Sequence, residues 1–224
     1  MTFSIIARCP DTGMFGIGAA TALPAVGKLL THAAAGVGAV ATQARLNPYL
    51  GLDGLRLLGE GRSAGEVRDI LCLQDPRIQS RQFAVLDREG RTAAFTGAEC
   101  LDHAGHLEQH DYAVQGNRLT GADVLRRAAD AFLASRHLPL DERLMEALEA
   151  ADSVGGDRHG EKSATIYVVD KEEYPLWDIR VDANSDPFGE LRRLHDIFAR
   201  ELVPEIRRMP TRANPAGEVE EHAA

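Results

Sequence analysis

A chain of 224 residues with 44% apolar and 26% charged residues has the composition of an ordinary folded globule, large enough for one substantial domain, and its body is not expected to be disordered. A formal net charge of −9, with no cluster of Lys and Arg outside one C-terminal helix, excludes an extended phosphate-binding face, so no nucleic-acid partner is expected. No run reaches the roughly 18 apolar residues of a membrane span, and no basic stretch leads into an apolar one at the N-terminus, so a cytoplasmic protein without a membrane partner is expected.

The elements follow in chain order. Phe3 to Ala7 and Phe15 to Thr21 read as strands joined by the turn residues of Cys9-Pro10-Asp11-Thr12-Gly13, so the chain opens on a β-hairpin. A helical stretch is expected from Pro24 to about Ala34, then a strand over Gly36 to Thr42, whose small residues permit close packing. Helices follow over Gly51 to Gly59 and Ala64 to Leu73, the second opened by a capping box of Ser63 and Glu66. Gln82 to Asp87 and Arg91 to Thr96 form a second hairpin around Arg88-Glu89-Gly90, and Asp111 to Gln115 reads as a strand ending at Gly116-Asn117. Gly121 to Ser135 gathers Val124, Leu125, Ala128, Ala129, Phe132 and Leu133 on one helical face, and Leu140, Leu144, Ala147, Leu148 and Ala151 repeat the period. Ser163 to Asp170 and Trp177 to Val181 are closing strands, and Asp186-Pro187 caps a long last helix to about Arg208. The expectation is one domain over residues 1–208 and a flexible C-terminal tail over 209–224. Hairpins separated by helix pairs favour an α+β layered fold over a parallel sheet. The apolar face of the last helix and the small residues after Gly36 are compatible with a homo-oligomer.

Candidate chemistry begins at the second residue. If Met1 is removed, Thr2 carries a hydroxyl and an α-amine whose ordinary pKa of about 7.7–8.0 lets it accept a proton near neutrality, so nucleophile and base sit on one residue. Ser4 follows on the same face of the strand. Further polar residues stand at predicted strand ends or in glycine-rich turns: Thr42 and Gln43 with Asn47; Thr96-Gly97 with Cys100; Gln115 and Asn117; and Asp157 and Arg158 with Lys162 and Ser163. A strand-end amide such as Asn117 can donate to an oxyanion, or can merely cap a turn. His103, His106 and His110 do not have the zincin arrangement, so no metal is expected. The cysteines Cys9, Cys72 and Cys100, odd in number and widely spaced, read as free thiols. Cys100 or Ser163 stays open as an alternative nucleophile.

Taken together, Thr2-Phe3-Ser4-Ile5-Ile6-Ala7, Ala39-Val40-Ala41-Thr42-Gln43 with Asn47-Pro48, Thr96-Gly97-Ala98-Glu99-Cys100, Val114-Gln115-Gly116-Asn117 and Gly155-Gly156-Asp157-Arg158 resemble a bacterial family of unknown function, DUF1028, from Thr2 to about Leu194. The resemblance implies a four-layer αββα sandwich of antiparallel sheets, as in N-terminal nucleophile (Ntn) hydrolases. It implies Thr2 as nucleophile, with Asn117 holding the oxyanion and Ser4 as a supporting hydroxyl. Thr42, Gln43, Asn47, Gln115, Asp157, Arg158 and Lys162 are the expected substrate contacts. The expected activity is cofactor-free hydrolysis of a linear C–N amide bond in a small-molecule substrate. The alternative is a non-catalytic small-molecule binding or assembly protein on the same scaffold.

Overall fold

The computed structural model describes residues 2–218. The opening hairpin forms as its turn residues dictate: β1 (Thr2–Arg8) pairs antiparallel with β2 (Phe15–Thr21), with Phe3 opposite Ala20 and Arg8 opposite Phe15. The expected helix at 24–34 is replaced by one 3-10 turn at Val26–Lys28 and a strand, β3 (Thr31–Ala34), paired with β4 (Gly38–Ala44). Ala33 and Ala34 favour a helix locally, but the turn between them and β4 puts Gly36 at φ 68, and the ladder formed on β4 overrides propensity.

Helix α1 (Pro48–Gly59) starts three residues earlier than its apolar period indicates, because Asn47 caps it by accepting the Tyr49 N–H at 3.1 Å and Pro48 occupies its first turn. The capping box of α2 (Ala64–Gln74) forms as read. β5 (Arg81–Asp87) and β6 (Thr92–Thr96) complete a four-stranded sheet in the order β3-β4-β5-β6.

One strand had no counterpart in the sequence reading. β7 (Gly105–Gln109) is a short, largely exposed edge strand carrying His106 and Glu108, and such an edge has no apolar run to betray it. It pairs with β8 (Tyr112–Asn117), and β8 pairs with β1 so that Thr2 lies opposite Asn117 and Ser4 opposite Gln115. Helices α3 (Asp123–Ala134) and α4 (Leu140–Asp152) follow, then β9 (Ser163–Val169) and β10 (Trp177–Val181), completing a six-stranded antiparallel sheet in the order β10-β9-β2-β1-β8-β7.

The long terminal helix divides into α5 (Pro187–Glu201) and α6 (Val203–Arg208), since Pro204 supplies no N–H to continue the ladder. Beyond α6, the Pro210 carbonyl accepts the Tyr174 hydroxyl at 3.0 Å and the Arg208 carbonyl accepts the Glu218 N–H at 2.9 Å. The rest of the expected tail, 219–224, lies outside the described residues.

Side-chain alternation sorts the core. Phe3, Ile5 and Ala7 join Phe132, Leu144 and Leu148 of α3 and α4 and Leu191 of α5. Val40, Phe83 and Val85 join Leu57, Val67 and Leu71 of α1 and α2. Between the sheets, Ile6, Ile17 and Ala19 meet Ala39, Ala41, Ala84, Leu86 and Ala94, and the alanines on one side let the sheets approach closely. Thr2 and Ser4 have the parity of Ile6 and therefore belong to the inter-sheet face. No helix among the described residues is long and apolar enough to cross a membrane.

Candidate active site

At the Thr2 end of β1 the apolar layer between the sheets gives way to side-chain amides and hydroxyls. The Thr2 Oγ1 lies 3.0 Å from the Thr21 Oγ1, the two hydroxyls standing side by side on neighbouring strands. Ser4 Oγ donates to Gln43 Oε1 at 2.7 Å and accepts from Gln115 Nε2 at 3.3 Å, so its hydroxyl is held inside this layer. Gln43 Nε2 donates to the Thr2 carbonyl at 3.3 Å and to Gln82 Oε1 at 2.8 Å.

Gln82 is the hub, and the sequence reading missed it. Its Oε1 also accepts Asn117 Nδ2 at 2.9 Å, while its Nε2 faces Thr96 Oγ1 at 2.9 Å, the Gly105 carbonyl at 3.0 Å and the Gly116 carbonyl at 2.8 Å. The signal that could have found it is pairing parity: Gln82 lies opposite Gln43 in the β4–β5 ladder, so two long amides point between the sheets at the same level. Bonds of this kind fix the rotamer of each member, so the Asn117 amide is held in place by its bond to Gln82.

Two cavities that share Leu23 and Ala44 as a common wall open on this layer. The first, of about 270 Å³, has Thr2, Thr21 and Gln43 at its floor and Val26, Leu29 and Leu30 on its sides. The second, of about 480 Å³, is lined by Asn117 together with Arg45, Arg118, Glu99 and Cys100. Backbone strain concentrates here. Of the four described non-glycine residues with positive φ, three line these cavities: Ala25 at φ 60, Ala44 at φ 67 and Arg118 at φ 53. Such conformations persist only where surrounding structure holds them, and they gather at functional sites.

A family model described as a family of unknown function, DUF1028, matches residues 2–191. The chain belongs to this family. Among solved structures, the chain is similar to the crystal structure of protein SPO2555 from Silicibacter pomeroyi, also described as a DUF1028 protein, at 30% identity and a TM-score of 0.90, covering 98% of this chain and 99% of that one. A likeness to Anbu (ancestral beta-subunit) from Yersinia bercovieri, at 14% identity and a TM-score of 0.40 over 88% of this chain and 97% of that one, is too weak to carry an argument. No curated protein matches.

The other residues singled out in this DUF1028 chain surround the cleft in different capacities. Thr42 Oγ1 donates to the Asn47 carbonyl at 3.3 Å, and Asn47 Nδ2 donates to Asp75 Oδ2 at 2.8 Å, so the pair secures the β4–α1 connection. Asp75 is held below the ordinary carboxylate range: burial acts to raise it, but Asn47, the Arg77 N–H and Arg81 together outweigh burial. Asp157 is buried, and its Oδ2 accepts the Ala22 N–H at 3.1 Å while its Oδ1 accepts the His159 N–H at 3.0 Å, bracing the segment that follows β2. Arg158 Nη2 reaches the Leu119 carbonyl at 3.4 Å, and Lys162 is exposed, its N–H bonded to the Thr21 carbonyl at 2.8 Å.

The two alternative nucleophiles are differently disposed. Ser163 Oγ donates to the Leu23 carbonyl at 2.6 Å and accepts the Val26 N–H at 3.0 Å, which fixes the cavity wall and uses its proton. Cys100 Sγ donates to the Arg81 carbonyl at 3.3 Å, and burial pushes its thiol up, away from the nucleophilic thiolate. Of the three histidines, His106 Nδ1 is 2.8 Å from Thr96 Oγ1 and His110 Nδ1 is 3.0 Å from Asp111 Oδ2. Among the described residues no group of three His, Cys, Asp or Glu side chains is placed to hold a metal ion.

Proposed function

We propose that this chain is an Ntn-type amidohydrolase that needs no cofactor and cleaves a linear C–N amide bond of a small metabolite with Thr2, once Met1 has been removed. The observation that carries the reading is a threonine at the start of a central strand, lining the first cavity, with Asn117, which lines the second, opposite it in the ladder. Two antiparallel sheets packed on each other through small residues, with helices packed on their outer faces, support the αββα arrangement of that class.

In this mechanism the Thr2 α-amine takes the proton from Oγ1 as the oxygen attacks the amide carbon, and one Asn117 N–H receives the developing oxyanion. The ammonium then returns its proton to the departing nitrogen, the C–N bond breaks, and an ester remains on Thr2. Water, deprotonated by the same amine, cleaves the ester and restores the hydroxyl. The first cavity, walled by Val26, Leu29 and Leu30, suits an apolar acyl portion. Arg45 and Arg118, which have no ion-pair partner among the described residues, suit a carboxylate on the amine portion.

The test is turnover of N-acyl amino acids, ureido acids and γ-glutamyl compounds by the wild type, Thr2→Ala and Cys100→Ala. Loss in Thr2→Ala with retention in Cys100→Ala is the expected result. Loss confined to Cys100→Ala overturns the assignment, and saturable binding without turnover by the wild type returns the chain to the class of binding proteins.

A further inference from the structure

A separate cavity of about 490 Å³ opens at the other end of β1, about 20 Å along the strand from Thr2. Arg8, Arg136 and Arg143 line it together with Asp11, His110 and Asp111. Arg143 is the anomaly. It projects from α4 and is 8% exposed, with its guanidinium carbon 4.0 Å from the centroid of the Phe132 ring. The one hydrogen bond of its guanidinium among the described residues joins Nη2 to the Phe132 carbonyl at 3.5 Å, its Nε is buried with no hydrogen-bond partner, and no carboxylate forms an ion pair with it among the described residues. Buried guanidinium groups are ordinarily matched by an anion, because desolvation of an unpaired charge is strongly unfavourable. Burial accordingly pushes Arg143 below the ordinary arginine value.

The neighbouring carboxylates do not supply that anion. Asp111 is engaged on both oxygens, by Arg8 Nη1 at 2.9 Å and by His110 Nδ1 at 3.0 Å, and it is held there at φ 70. Asp11 is exposed on the β1–β2 turn and makes no ion pair, and Arg136, at the end of α3, is also exposed and unpaired among the described residues. Three guanidinium groups therefore face two carboxylates across a polar cavity, and the deepest of the three has Asp11 and Asp111 nearby but no ion-pair contact with either among the described residues.

We propose that this cavity is a binding site for a small oxyanion ligand, a carboxylate or a phosphate group, with Arg143 as its buried anchor and Arg136 as a second donor at the rim. The planar edge of a guanidinium offers two parallel N–H groups, which both oxyanions match. The site is independent of the Thr2 chemistry.

Calorimetric titration of the full chain with inorganic phosphate and, separately, with succinate, in a zwitterionic buffer, tests it. At least one anion is expected to bind saturably, with affinity reduced at least about 30-fold in Arg143→Met and about threefold in Arg136→Ala. Phosphate alone binding assigns a phosphate ester as ligand, and succinate alone assigns a carboxylate. Thr2→Ala is expected to bind as the wild type does, which separates this site from the cleft. Absence of saturable binding of either anion to the wild type, or affinity undiminished by the substitutions, overturns the proposal. Should Arg143→Met fail to fold, Arg136→Ala decides alone, since its side chain is exposed and its loss leaves the core intact.

Discussion

Replacing Gln82 by leucine keeps most of the side-chain volume and removes both polar ends at the point where the two sheets are joined. From a fully buried position Gln82 Oε1 accepts from Gln43 and Asn117, and the two N–H groups of its Nε2 are shared among the Thr96 hydroxyl and the Gly105 and Gly116 carbonyls. Gln43 retains the Thr2 carbonyl as acceptor and Thr96 retains His106, so the losses are the Asn117 bond to Gln82 and the Gln82 bonds to the buried Gly116 and half-buried Gly105 carbonyls. A lost hydrogen bond in a buried layer costs about 1–1.5 kcal/mol, so the variant, losing three, should lose about 4 kcal/mol. In a chain of this length that lowers Tm by about 10 °C. Urea and thermal unfolding measure it, with Gln74→Leu at an exposed helix end as the control expected to stay within about 0.5 kcal/mol. A loss below about 1 kcal/mol for Gln82→Leu would mean instead that water or side-chain rearrangement satisfies the layer without the hub.

Three more outcomes follow from the same geometry. Asn117→Ala should lower turnover of the cleaved amide by about 10²–10³-fold with a smaller change in KM, as removal of one oxyanion donor does; equal loss in substrate affinity instead would make Asn117 a binding group. Burial, with the Asp152 carboxyl beside it, pushes the Glu161 carboxyl up to about 7 against the opposing effect of the Asp157 N–H that it accepts. A carboxyl whose folded pKa exceeds its unfolded value contributes stability below about pH 4.5 that is lost as pH rises through about 7; allowing for solvent screening, wild type relative to Glu161→Gln should lose about 1 kcal/mol over that window, and a difference independent of pH would contradict the assignment. A Cβ on Gly97 would sit 2.2 Å from the Gln79 carbonyl oxygen, so Gly97→Ala should cost about 2–3 kcal/mol in urea unfolding, whereas an unchanged midpoint would show that the 79–81 segment yields.

Much of this architecture was legible because local chemistry and the final fold agree. The Pro-Asp-Gly turn at Cys9 to Gly13, the Ser63–Glu66 capping box and the apolar faces of α3 and α4 each specify an element without help from elsewhere. What was not legible depends on partners distant in sequence. Thr31–Ala34 becomes a strand because β4 pairs with it, and β7 exists because β8 offers an edge. The same holds within the site. Thr2, Ser4, Gln43, Gln115 and Asn117 were singled out at strand ends and meet in one hydrogen-bonded layer, while Asn47 and Asp157 spend their polar atoms on the backbone and loops beside it. Gln82 looked like the polar start of a strand, and only the pairing of β5 with β4 turns its amide towards Asn117.

The central claim is that the Thr2 hydroxyl is the nucleophile, and mass spectrometry of the purified protein reacting with a cleaved amide tests it most directly. The expected result is an N-terminal peptide that begins at Thr2 and, on rapid acid quench, an acyl group in ester linkage on that residue. Turnover by protein that retains Met1, or an acyl group carried by Cys100, would contradict it.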